Sequence, residues 1–503
     1  MNGARALVET LAAGGVTDCF ANPGTTEVDL VHALDDVPAM AAHLVLSEAV
    51  ATGAADGFGR LTGRPAATLL HLGPGYANGA ANLHNAWRAR TPIVNIVGDH
   101  ATWHRPHDTG LASDVAALAG VHSGWVAEVV APGPDAAAAL SAASGGAIAT
   151  LIVPADVQRA EAAPADPLPP VAPGEVPGSR VEAVAAVLAR TEPIVLLLGG
   201  GALSTDGLAA AHAIAAATGA RLLHETLPAR IERGAGQPHV TRLPYAPPAA
   251  AGAIGQARVV LVGAHPPTSF FGYQGVPSHI VPTDRLVRGA DPDEDVDGFL
   301  GALAAAVGAH PAPTGMAVPE PVAPTSGALD PATVGAAVAA TQPEGAVVVN
   351  AAVTAGGPWE AASAASPPHT MLTIVGGSLG FGLPAAVGAA VAAPDRPVVA
   401  LQADGSALYT PQALWSMARE GLDVTVVALV NRRYRIIAGE LGRVTEPGPV
   451  ADALTDIDGV DFVGLAESFG VPGRRVVDAA DLVAALAEAF GTPGPHLVEV
   501  PLP

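Results

Sequence analysis

Two stretches of this 503-residue chain end in residues able to grip a cation. One, from 398 to 406, reads Val-Val-Ala-Leu-Gln-Ala-Asp-Gly-Ser; the other, from 424 to 434, reads Val-Thr-Val-Val-Ala-Leu-Val-Asn-Arg-Arg-Tyr. Each begins as an unbroken apolar, β-branched run, the pattern of a strand buried on both faces of a parallel sheet. Each then ends in an oxygen-bearing side chain, Asp404 or Asn431. The segment between them carries Leu414, Met417 and Ala418 at helical spacing, and Gly421 suits its C-cap. A strand-helix-strand crossover puts both strand tips on one edge, so Asp404 and Asn431 are expected to share a crevice. A carboxylate, an amide oxygen and a nearby backbone carbonyl are ligands that Mg²⁺ accepts beside phosphates, while Gly405 and Ser406 at a helix start offer N–H groups to an anion. The expected chemistry is magnesium plus a phosphorylated ligand.

The rest of the chain has to position that crevice. Its length exceeds one core and fits two to four domains. Half of the residues are apolar and 14% are charged, which means a globular protein with large buried surfaces. All 24 basic residues are arginine, which excludes Schiff-base chemistry, pyridoxal phosphate anchoring and a Walker lysine. The single cysteine, Cys19, excludes internal disulfides and argues against Cys-ligated clusters. A net charge of −23 argues against nucleic acid as a partner. The blandest run, 136 to 155, is broken by Ser141, Ser144, Gly145 and Gly146, and residues 1 to 13 lack a signal-peptide layout. No membrane partner and a cytoplasmic location are therefore expected.

Asp404-Gly405-Ser406, with an asparagine 27 positions after the aspartate, resembles the signature of thiamine diphosphate (ThDP) enzymes of the acetolactate synthase, benzoylformate decarboxylase and pyruvate decarboxylase group. Val430-Asn431 stands where that family shows Asn-Asn. The resemblance covers nearly the whole chain in family order. It implies an α/β protein of three doubly wound parallel-sheet domains: pyrimidine-binding (1–160), middle Rossmann-like (180–313) and diphosphate-binding (327–503), joined by linkers at 161–179 and 314–326. It implies that Asp404, Asn431 and the Arg433 carbonyl hold Mg²⁺. Gly405, Ser406, Tyr434 and Thr354 are implied to contact the cofactor, with Leu379, inside 376–384, as the wedge under its thiazolium ring. Ile436 and Ile437 would line the substrate pocket.

In the first domain, Ser47-Glu48 followed by Ala54 to Arg60 resembles the family's catalytic-glutamate segment. Residues 44 to 49 read as a buried strand ending at Glu48, and a solvated helix-start acid is the alternative reading. His71, before a glycine-rich turn from Leu72 to Gly79 that includes Asn78, matches the catalytic histidine of benzoylformate decarboxylases; a core histidine is its alternative. Asn78 joins the implied cofactor contacts. Thr25, in the turn from Asn22 to Glu27, takes the place of a family serine. Phe271 falls where benzoylformate decarboxylase has a second histidine, which weighs against simple benzoylformate decarboxylation. His100, His104 and His107 read as loop residues near the site rather than zinc ligands.

The implied activity is decarboxylation of a 2-oxo acid to an aldehyde, or carboligation with an aldehyde or second carbonyl acceptor to an acyloin or acetolactate-like product. Strict acetolactate synthase activity and a catalytically silent ThDP-binding assembly protein stay open. Some relatives bind FAD in the middle domain, but Gly199-Gly200-Gly201 with Ser204 is no G-x-G-x-x-G fingerprint and gives no reason to assert it. The resemblance further implies a homodimer or homotetramer with shared sites, Glu48 and His71 arriving from another chain. A weak internal repeat, 75–99 against 380–404, runs glycine, alanine-rich helix, strand and Asp over the same 24-residue spacing.

Overall fold

The β-branched apolar runs form parallel strands in the computed structural model, which describes residues 1–310 and 321–503. The first sheet contains β1 (Asp18–Ala21), β2 (Ala41–Leu44), β3 (Ala66–His71), β4 (Ile93–Asp99), β5 (Trp125–Glu128) and β6 (Ile148–Pro154). Its order is β2-β1-β3-β4-β6-β5, parallel throughout. The middle of the chain supplies β7 (Ile194–Leu198), β8 (Arg221–His224), β9 (Arg230–Arg233), β10 (Thr241–Arg242), β11 (Arg258–Val262) and β12 (Leu286–Ala290). Here β10-β8-β7-β11-β12 form a second parallel sheet. The last part supplies β13 (Val347–Ala351), β14 (His369–Thr373), β15 (Val398–Ala403), β16 (Val424–Val430), β17 (Gly473–Arg475) and β18 (His496–Pro501). These follow one another as β17-β18-β16-β15-β13-β14. The α/β class with three parallel sheets is thus as the resemblance implies.

The chain divides into two compact units. Met1–Val171, Pro321–Ser363 and Leu372–Pro503 make one; the described part of Ala172–Glu320 and Ala364–Met371 make the other. The expected linker at 314–326 lies partly outside the described residues. Among the described residues, no helix is long and apolar enough to cross a membrane.

Two local expectations are corrected. The strand expected at 44–49 lies earlier, at β2, and three of its four residues face solvent. Glu48 instead opens the Glu48–Thr62 helix, whose N-cap Ser47 accepts the Ala49 N–H at 3.3 Å. A serine before an acidic first turn is an N-terminal signal that outweighs the β-branched run. Likewise, the expected turn at 72–79 is the first half of the Leu72–Arg88 helix, entered through Leu72 at φ +53°. Glycine's poor helix propensity is overridden by close packing, because a Cβ on Gly79 would press to 2.8 Å from Thr52 Cγ2 of the neighbouring helix.

Within the first unit, the Glu48–Thr62 and Gly382–Ala392 helices cross backbone against backbone. A Cβ on Gly57 would meet the Ala385 carbonyl oxygen, and one on Gly388 the Ala54 carbonyl oxygen. Beside this crossing Arg60 is buried, held by Asp56 at 2.7 and 2.6 Å and stacked 4.4 Å from the Phe381 ring centre. A charge so buried needs such partners, and these span the N- and C-terminal parts of the chain. The internal repeat corresponds to real elements: a helix (Leu72–Arg88, Gly382–Ala392) followed by a strand (β4, β15) ending at an aspartate.

Candidate active site

β15 and β16 pair in register from Val398↔Val424 to Ala403↔Leu429, so both strand tips end together. Asp404 is buried, and its carboxylate collects three backbone N–H donors: Gly405 on Oδ1 at 2.8 Å, then Asn431 and Arg432 on Oδ2 at 2.9 and 2.6 Å. Arg432 reaches that position in the left-handed region, at φ +57°. Burial pushes the Asp404 carboxyl above its usual range, with those N–H groups pulling the other way. Asn431 Oδ1 accepts the Arg433 N–H at 3.0 Å, and the Arg433 carbonyl accepts the Arg435 N–H at 2.8 Å. Carboxylate, amide oxygen and carbonyl belong to one hydrogen-bonded turn and are hard oxygens of the kind Mg²⁺ takes; Asp404 Oδ1, with one N–H, keeps a lone pair for it. Among the described residues, no group of three or more His, Cys, Asp or Glu side chains offers a metal site.

The Tyr434 ring lies where a Cβ on Gly405 would fall, 2.6 Å away. Burial, the Tyr409 phenol and Asp404 together push the Tyr434 phenol up. Ser406 is buried and its Oγ accepts the Gly380 N–H at 3.2 Å, which fastens the Gly376–Pro384 segment and half-buried Leu379 to the strand tips. Thr354 is exposed just beyond β13, which is paired with β15. Ile436 and Ile437 are exposed on the first turn of the Arg435–Val444 helix. Phe271 is exposed in the second unit, ringed by Phe270 at 5.0 Å.

Glu48 is 6% exposed and accepts an N–H from Asn78 at 3.2 Å. His71 stands at the end of β3, opposite Gly98 of β4. Both converge on Gly75: a Cβ there would lie 2.9 Å from Glu48 Oε1 and 3.3 Å from His71 Cβ. His71 Nδ1 is 2.8 Å from Oε2 of Glu27, a fully buried carboxylate that also accepts the Gly24 N–H at 2.8 Å and the Thr26 hydroxyl at 2.6 Å. Thr25 is exposed at the start of this turn. Gly24 and Gly98 leave room for the pair, since side chains there would run into the His71 ring and Glu27. Sequence reading missed Glu27. The signal was the spacing Gly24 to Glu27, in which an acid three residues on folds back to its own turn.

His104 packs its ring against His100, His107 and Trp103, with ring centres 5.5 to 5.7 Å apart. Their loop leaves the sheet at the edge where His71 stands, but among the described residues no hydrogen bond joins them to His71 or Glu48. The acid half and the clamp half do meet. Asn82 Nδ2 donates to Ala49 O at 2.8 Å and Gly380 O at 3.2 Å, and Asn85 exchanges two bonds with Ser378. The start of the Glu48 helix is thereby tied to the Gly380 turn inside one chain.

Known proteins match this geometry. Residues 1–118 match the thiamine pyrophosphate enzyme N-terminal TPP binding domain, and residues 357–500 the C-terminal TPP binding domain. A Mycobacterium tuberculosis protein with the provisional name acetolactate synthase large subunit IlvX is 50% identical over 100% of this chain and 99% of its own. A benzoylformate decarboxylase of Pseudomonas aeruginosa is 30% identical over 99% and 98%. The structure of a thiamine diphosphate-dependent 4-hydroxybenzoylformate decarboxylase from Rhodococcus jostii RHA1 superimposes with a TM-score of 0.85 at 27% identity, covering 100% of this chain and 99% of that one. With matches at both ends and full-length relatives between, the chain belongs to the thiamine pyrophosphate enzyme family.

Proposed function

We propose that this protein is a ThDP- and Mg²⁺-dependent decarboxylase or carboligase of 2-oxo acids. The observation that carries the reading is the tie through Asn82, which sets a buried acid, Glu48, beside a turn fastened to the Asp404–Asn431 clamp. Asp404, Asn431 and the Arg433 carbonyl would hold Mg²⁺. Gly405, Ser406, Thr354 and Tyr434 would hold the diphosphate side, Leu379 the thiazolium, and Glu48 with Asn78 the aminopyrimidine. Bound there, ThDP supplies a nucleophilic carbon and an electron sink for the loss of CO₂.

The chain's own residues do the rest. Glu48 holds and returns a proton at its carboxyl oxygen, in a spot that excludes water. Glu27 fixes His71 by accepting from Nδ1–H, which leaves Nε2 to face the substrate and pass a proton to the product. Thr25, Ile436 and Ile437 would bound the substrate, and the apolar isoleucines favour a 2-oxo acid with an apolar body. Acetolactate synthase activity is the second reading, supported by the name of the 50% identical relative. Assembly into two or four chains is supported by apolar side chains left in water around Arg433: Ile436, Ile437, Val450 and Leu454. A cytoplasmic location belongs to the same reading.

Mass spectrometry of products from the purified protein with ThDP, Mg²⁺ and mixed 2-oxo acids and aldehydes tests it. Aldehyde, acyloin or acetolactate-type products are expected. Cofactor uptake without any product would instead support the silent assembly protein.

A further inference from the structure

The chain has 24 arginines. Among the described residues, 21 of their side chains have a carboxylate, a carbonyl or a ring as partner, and Arg233 and Arg242 have interactions of their own. Arg64 has none, in a protein with 47 acidic residues. It lines a cavity of about 690 Å³ in the first unit, and it is the only formal charge in the lining. That volume is in the usual range for small-molecule sites, on the order of 300–1,000 Å³.

The cavity lies between the last residues of the Gly3–Ala13 and Pro132–Ser144 helices and a strap of chain that includes Pro167, Leu168, Pro169 and Pro170. The strap is pinned on both sides. Ala165 N–H donates to Thr10 Oγ1 at 3.0 Å, Ser141 Oγ–H to Pro169 O at 2.8 Å, and Val171 N–H to Ser144 Oγ at 2.9 Å. Three prolines with fixed φ stiffen it between those pins, so it holds the space open instead of collapsing into it. Arg64 is exposed at these C-terminal helix ends, which favour its positive charge without hydrogen-bonding it: Thr10 O accepts from Gly14 N–H, Gly59 O from Gly63 N–H and Ala143 O from Gly146 N–H.

We propose that this cavity binds a small organic carboxylate with an aliphatic body. The carboxylate pairs with the Arg64 guanidinium, whose planar fork matches it in two parallel hydrogen bonds. The body lies against Leu140, Leu168 and the strap prolines. This is a site apart from the candidate active site: Arg64 follows the C-terminal end of the 15-residue helix that Glu48 begins, about 22 Å away along its axis.

Calorimetric titration of the full-length, ThDP- and Mg²⁺-loaded protein with octanoate tests it. Octanamide, octylamine and inorganic phosphate serve as comparisons, and Arg64→Gln as the variant. Octanoate is expected to bind at least about tenfold more tightly than any of the three, and Arg64→Gln to lose at least about tenfold of that affinity. Turnover and cofactor uptake of the variant should be unchanged, since Arg64 is no part of the candidate active site. No octanoate binding, equal binding of octanamide, or undiminished binding to Arg64→Gln would each overturn the proposal. Phosphate binding as tightly as octanoate would overturn the aliphatic body.

Discussion

Glu48 and Glu27 are both buried carboxylates within one cluster, and their partners separate their roles. Among the described residues Glu48 has only the Asn78 amide, on Oε2, so its other oxygen is available to a ligand. Glu27 is fully buried, with Gly24 and His71 on one oxygen and Thr26 on the other, so it faces its own turn and the histidine. Glu48→Gln should therefore keep Mg²⁺ and ThDP binding, followed by calorimetry, while turnover falls by on the order of 10²–10⁴. Glu27→Gln acts through His71. Its turnover should fall about tenfold to a hundredfold, the usual cost of freeing an imidazole from its orienting partner, with KM nearly unchanged and a displaced pH–rate profile. A Glu27→Gln enzyme that keeps the wild-type profile would reduce Glu27 to a structural role.

At the scale of elements, the Glu48–Thr62 and Gly382–Ala392 helices cross at backbone contact. Gly57 and Gly388 let the two backbones touch, and no rotamer can make room for a methyl group pressed against a carbonyl oxygen. Gly388→Ala should cost about 1–3 kcal/mol of stability, read from the denaturant midpoint, and should weaken ThDP retention as the Asn82 bridge is pried apart. Gly301→Ala is the contrast. It lies inside the Val296–Ala306 helix with nothing within 4 Å of the new Cβ, so it should be neutral or stabilising by up to about 1 kcal/mol. Equal losses for the two variants would mean that the crossing is not tight in solution.

Across the whole molecule, edge strand β2 is joined to the end of the Ala413–Glu420 helix through one imidazole. His43 Nε2 is 2.9 Å from Asp18 Oδ1, its Nδ1 is 3.5 Å from Glu420 Oε2, and its ring stacks on Phe20. Burial pulls this histidine down, but Asp18 and Glu420 outweigh burial and leave it raised. A raised folded pKa stabilises fully below the unfolded value of about 6.5, and that contribution is lost as pH climbs through the folded one. Urea midpoints of the wild type should therefore fall between about pH 6 and pH 8.5 more than those of His43→Gln. Identical slopes would remove His43 from the account.

How much of this was legible beforehand differs by residue for a physical reason. Asp404, Asn431 and their crevice were readable because both strand runs are continuous, the crossover between them is short, and parallel register leaves their tips nowhere else to go. The glycine-rich start of the Leu72–Arg88 helix was not readable, because close packing on the neighbouring helix overrode a local propensity for turns. Nor was Glu27, whose importance comes from a histidine 44 positions away in sequence, brought within 2.8 Å by the pairing of β1 with β3. The sequence alone determined the chemistry at the strand ends and the α/β alternation that presents it. Only the tertiary structure decided which buried acid is free to act, which one holds the histidine, and that Asn82 joins both halves within one chain, because each depends on contacts between segments that no local pattern encodes.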